Sequence, residues 1–149
     1  MCIRDRQKAG GGGDTPEAVD VALMEAIEKQ DWSDEAVARI VFLVLDASPH
    51  KQEEHLKSLE KTILQAAAKG IKIIPITASG IRKETEYLMK FMATATNGTY
   101  VFITDDSGIG NSHLKPTASK YDIELLNDLM VRLIKKYTCL LYTSDAADE

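Results

Sequence analysis

The chain has 149 residues, 44% of them hydrophobic and 28% charged, the composition of one ordinary globular domain. No apolar run approaches the length of a membrane-spanning helix. The net charge of −5 counts against nucleic acid as the main partner, because phosphate binding needs a basic face, and it suits a cation site no better than it suits solubility.

The two ends stand apart from the rest. Residues 1–6 (MCIRDR) and 139–149 (CLLYTSDAADE) have no periodicity, caps or turn chemistry joining them to their neighbours. They resemble translated read-through of sequencing-adapter DNA, are expected to be artefactual and unstructured, and leave residues 7–138 as the folding unit. Both cysteines, Cys2 and Cys139, fall in these ends, so no disulfide framework or CxxC metal site is expected between them.

After the glycines Gly10–Gly13 a helix is predicted to start. Asp14 or Thr15 can cap it, Pro16 suits its first position, and Glu17 stands three residues beyond Asp14 as in a capping box. Val19, Leu23 and Ala26 then recur at helical spacing to about Lys29. Trp32–Asp34 breaks the pattern. Ile40–Leu45 (IVFLVL) is an unbroken apolar run, which predicts a parallel strand buried on both faces, and Asp46 ends it.

Gln52–Lys69 reads as a helix with Leu56, Leu59, Ile63 and Ala67 on one face, stopped by Gly70. Ile71–Thr77 (IKIIPIT) is a second strand, although Pro75 lacks a ladder donor and counts against a central position. A helix over Lys83–Thr96 would turn Leu88, Phe91, Met92 and Ala95 inward. Asn97-Gly98 is a turn, and Thr99–Thr104 a third strand. A long loop, Asp105–Lys120, precedes a last helix over Tyr121–Tyr137 with Ile123, Leu126, Met130, Leu133 and Ile134 as its apolar stripe.

This alternation implies an α/β fold: a three-layer, Rossmann-like, doubly wound and mainly parallel sheet flanked by helices. In such sheets ligands bind at the carboxyl ends of the strands. The candidate loops are then Asp46–Lys51, Thr77–Arg82 and Asp105–Lys120, with the Gly10–Asp14 loop on the same edge.

The segment GGGGDTPEAVDVAL, followed by a strand ending LDASPH, resembles two of the three metal-site loops of the von Willebrand factor A family. Bacterial members often read GGGD-x-PE and D-A-P-P-H there. GTYVFITDDSGIGNSH and LLNDLMVRLIKK resemble that family's last strand and helix, so the resemblance runs from about Gly10 to Tyr137. It implies the C-terminal part of such a domain, its sheet truncated to the last three strands, and a non-enzymatic module for metal-dependent adhesion or protein–protein interaction.

In that family Mg²⁺ or Mn²⁺ is held by oxygen alone. An Asp and two hydroxyls come from a D-x-S-x-S loop, a Thr from a second loop and an Asp from a third, and a partner's carboxylate completes the shell. By position Asp46 matches the third loop's aspartate. Gly13 stands where the family has its Thr, so the resemblance makes Asp14, and after it Thr15, the substitute donor. D-x-S-x-S does not occur in the sequence. The resemblance therefore implies an incomplete site, Asp14 and Asp46, that binds no cation by itself, and a protein partner offering a carboxylate. Bacterial members also point to the cell surface or to secretion. A competing alignment makes LVLDASPH the family's first strand, with His50 for the second serine. The strand, helix, strand, helix order after it and the GGGD loop before it count against that.

Each candidate has a plainer reading. Asp14 is also a helix cap, and Asp46 a loop residue bonding nearby amides. His50 and His55, five residues apart, lie about 140° apart around a helix and would not converge on one metal. They and His113 read as solvated surface residues, and Asp105 and Asp106 as turn formers. The glycine run lacks the G-K-[ST] of a phosphate loop, and SGIGNS is not G-x-S-x-G, so no enzymatic motif stands out. The rival functions are a Rossmann-like hydrolase or nucleotide-binding enzyme using the same edge, and a structural domain whose metal site has decayed.

Overall fold

The structure, a computed structural model, describes residues 13, 16–77, 81–103 and 124–138. Within them run α1 (Val19–Glu28), β1 (Arg39–Leu45), α2 (Glu53–Ala68), β2 (Ile71–Thr77), α3 (Lys83–Ala95), β3 (Val101–Phe102) and α4 (Leu126–Thr138). The three strands form a parallel sheet in the order β1-β2-β3.

Side-chain alternation along the strands sets the layers. Ile71 and Ile73 of β2 and Val41, Leu43 and Leu45 of β1 pack with the inner faces of α1, α2 and α3. Ile74 and Ile76, with Ile40 and Phe42, pack on the opposite side with Leu133 of α4. The connections β1–α2–β2 and β2–α3–β3 advance in one direction across the sheet. Right-handed crossovers therefore place α2 and α3 on one face, where they lie. Among the described residues the strand order never reverses, so the switch point of a doubly wound sheet is not part of them.

β2 is central despite Pro75, and the ladder explains why it can be. The Thr77 carbonyl accepts from Ile103 N at 2.9 Å, so Thr77 faces β3, and so do Pro75 and Ile73 at alternate positions. The missing proline donor is thus a bond to the β3 side, where the ladder is two residues long, and the pairing with β1 is continuous from Arg39↔Ile71 to Leu45↔Thr77. Below that short ladder a substitute takes over: Ile73 N donates to Thr96 Oγ1 at 3.0 Å. Gly98 then passes so close that a Cβ there would lie 1.9 Å from the Ile73 oxygen. Asn97, in the left-handed region at φ 52°, makes the turn, and the Gly98 amide donates to Ala93 O at 2.7 Å. The strand expected over Thr99–Thr104 is accordingly reduced to Val101–Phe102, and Thr104 lies outside the described residues.

Other expectations shift in register. α1 begins at Val19, three residues after Pro16, because the backbone of Glu17 is engaged elsewhere: it pairs with Pro49 as a parallel bridge. The residue before the helix, Ala18, makes no side-chain cap, and the expected caps Asp14 and Thr15 lie outside the described residues. The buried stripe of α2 is Leu59, Thr62, Ile63 and Ala66, with Leu56 and Ala67 exposed, and Thr62 is tolerated inside because its hydroxyl donates to Ser58 O at 2.9 Å. In α3 the inner face holds Met89, Met92 and Ala93, and Phe91 is exposed. In α4 Leu133 is buried, and Leu126 and Ile134 are exposed. Gly70, at φ +65°, ends α2 as expected. β1 is an edge of the sheet among the described strands, not a strand buried on both faces, and Val44 is 66% exposed.

Candidate functional site

The carboxyl ends of β1 and β2 open on one edge with α1 behind it. Asp46 follows β1 directly and is exposed. Beyond it the chain is tied down: Glu17 N donates to Ser48 O at 2.9 Å and His50 N donates to Glu17 O at 3.3 Å. The segment three residues beyond Asp14 therefore lies against the segment three residues beyond Asp46. Asp14 and Thr15 lie outside the described residues, as do Asp105, Asp106 and His113. Thr77, at the end of β2, offers no free oxygen to this edge. It is buried, with its hydroxyl bonded to Tyr100 Oη at 2.8 Å. Burial pushes the Tyr100 phenol above its ordinary range; the Thr77 bond opposes this, and the nearby Glu86 carboxylate adds to it.

A polar cluster that the sequence reading divided up sits beside this edge. Asp20 is buried on the inner face of α1, and its Oδ2 lies 2.9 Å from His55 Nδ1. Among the described residues the other oxygen, Oδ1, is buried without a partner. The His55 ring stacks on His50, with centroids 5.0 Å apart and planes at 29°. Helical spacing does not hold the two rings apart, because α2 begins at Glu53 and His50 belongs to the preceding loop. Asp20 was the missed residue. Its signal was present in the spacing Asp20, Leu23, Ile27, which puts an acid on the buried stripe of the first helix.

In front of His50 lies a cleft of about 530 Å³, lined by Ser48, Lys51, Gln52 and, from the start of α3, Arg82. Lys51 reaches Glu84 at 3.2 Å and so links the N-termini of α2 and α3.

A Mg²⁺ or Mn²⁺ ion needs about six oxygens in strict geometry. Among the described residues no three His, Cys, Asp or Glu side chains are placed to hold a metal ion. In the polar cluster, the Asp20 oxygen that faces His55 is already bonded to it. The described residues alone thus do not fit a cation site, and Asp46 is a single exposed carboxylate.

Comparison with family models, curated proteins and solved structures gives no match for this chain. No helix among the described residues is long and apolar enough to cross a membrane.

Proposed function

We propose that the chain is a non-enzymatic protein-binding module of the von Willebrand factor A type that engages its partner through the strand-end edge. The observation that supports this reading is the Glu17–Pro49 bridge. It joins the residue three places beyond Asp14 to the residue three places beyond Asp46, the two acids that the sequence resemblance assigns to a shared cation. On this reading Asp46 and Asp14 hold part of a Mg²⁺ or Mn²⁺ shell, and D-x-S-x-S residues and a partner's carboxylate supply the remaining oxygens. Two carboxylates on an open edge are too few for tight binding, so affinity in the chain alone is at best about millimolar.

The test is calorimetric titration with Mg²⁺ and Mn²⁺ of a protein in which a D-x-S-x-S strand and loop precede residue 7. A single site is expected, abolished by Asp46→Ala and weakened by Asp14→Ala. If neither cation binds, or if Asp46→Ala changes nothing, the reading fails.

A hydrolase on the same edge has one observation in its favour, the Asp20–His55 bond, because a carboxylate at Nδ1 orients an imidazole as acid–base catalysis requires. Ester hydrolysis lost in His55→Ala would establish that alternative.

A further inference from the structure

We propose that the cleft between the N-termini of α2 and α3 binds a phosphate group, as the free ion or as the monoester of a small molecule, without a metal. The proposal goes beyond the protein-binding reading and does not depend on it. Lys51 and Arg82 bring two cations to a cavity of about 530 Å³, and no acidic side chain is among its described lining residues. Arg82 is exposed, and among the described residues no hydrogen bond or ion pair holds its guanidinium, so its donor fork remains available. Ser48 adds a hydroxyl to the same cleft.

The helices reinforce the same sign of charge. Gln52 caps α2 and Arg82 caps α3, and both cap residues line the cleft. Neither cap side chain bonds the first-turn amides, which leaves those donors and the positive ends of two helix dipoles facing outward. Of the acids in the first turns, Glu53 pairs with Lys57 at 2.6 Å, Glu86 with Lys90 at 2.6 Å, Glu54 lies 3.9 Å from His55 Nε2, and Glu84 pairs with the cleft's own Lys51 at 3.2 Å. The Lys51–Glu84 pair is exposed on both sides, so it is weak and gives way to a more highly charged ligand.

Donor number distinguishes phosphate from carboxylate. An arginine fork, an ammonium, a hydroxyl and helix amides exceed what the two oxygens of one carboxylate accept, whereas a phosphate offers three terminal oxygens and more charge. The cleft is also larger than a bare ion needs, which leaves room for an attached organic group.

The experiment is a titration of the whole chain in the presence of EDTA, followed by amide NMR shifts, with inorganic phosphate, glycerol phosphate and, as control, acetate. Saturable shifts are expected at Gln52–His55 and Arg82–Glu84 with both phosphates. Arg82→Gln should weaken binding roughly tenfold, and Lys51→Gln several-fold, as the loss of a charge-assisted contact implies. Lys135→Gln, on α4, should leave it unchanged. Glycerol phosphate binding more tightly than inorganic phosphate assigns the cleft to a small-molecule monoester, and equal affinities assign it to the free ion. The proposal is overturned if phosphate fails to saturate with EDTA present, if acetate binds equally well, or if Arg82→Gln leaves the affinity unaltered.

Discussion

The two faces of the sheet carry similar residues and are treated differently. On one face Ile71 and Ile73 lie with Leu59, Ile63, Met89 and Met92 under three helices, all at 0–1% exposure. On the other, α4 covers Ile74 and Ile76 of β2 but leaves Val44 of β1 two-thirds exposed. IVFLVL and IKIIPIT are both apolar runs, yet only the second is buried on both sides. Burial of a strand in a parallel sheet is thus a property of its neighbours, and an apolar run on the edge keeps one open side.

Paired substitutions break the comparison most sharply. Ile73→Ala empties a closed part of the core and should cost about 2–5 kcal/mol, while Val44→Ala should cost less than about 0.5 kcal/mol. Urea unfolding of the two variants measures both. Equal losses would mean that Val44 is covered by something that the described residues do not include.

A smaller effect is expected where a side chain stands in for the ladder. Thr96→Val keeps the shape but leaves the buried amide of Ile73 without its acceptor, at a cost of about 1–3 kcal/mol. Amide hydrogen exchange should quicken at Ile73 more than at Ile74, the neighbour that points toward β1. Uniform acceleration would instead indicate global destabilisation.

The smallest effect lies at the end of the same sheet. Burial raises the Tyr100 phenol, so above its ordinary value of 10.0 the unfolded chain releases the proton while the folded chain retains it. The resulting stability is complete below pH 10.0 and is lost as the pH climbs through the folded value. Tyr100→Phe should flatten that alkaline decline, as read from unfolding midpoints against pH.

Element order, the parallel strands and the ends of β2 were legible in the sequence, because period-two and period-3.6 patterns and the stop at Gly70 depend on local stereochemistry. The inner faces were less legible. In α2 the pattern pointed to Leu56 and Ala67, yet Thr62 and Ala66 are buried, since which part of a broad apolar arc turns inward depends on where α1 and β2 press on it. The candidate edge was half legible. Asp46 stands at the strand end as the sequence implied, whereas Asp20, His50 and His55 meet across 35 residues of chain.

What the sequence determined by itself was therefore local: where helices and strands form, where Gly70 and the Asn97-Gly98 turn end them, and which loop each candidate acid occupies. Tertiary structure decided everything that depends on a second segment. It made β2 central in spite of Pro75 by placing the missing donor on the side of the short ladder. It diverted Glu17 from a helix cap to a bridge with Pro49, and it opened a basic cleft between two helix starts that are about thirty residues apart. The physical reason is the same in each case. Backbone preference is a property of a residue and its neighbours, whereas a hydrogen-bond partner or a cavity wall exists only once distant segments have packed.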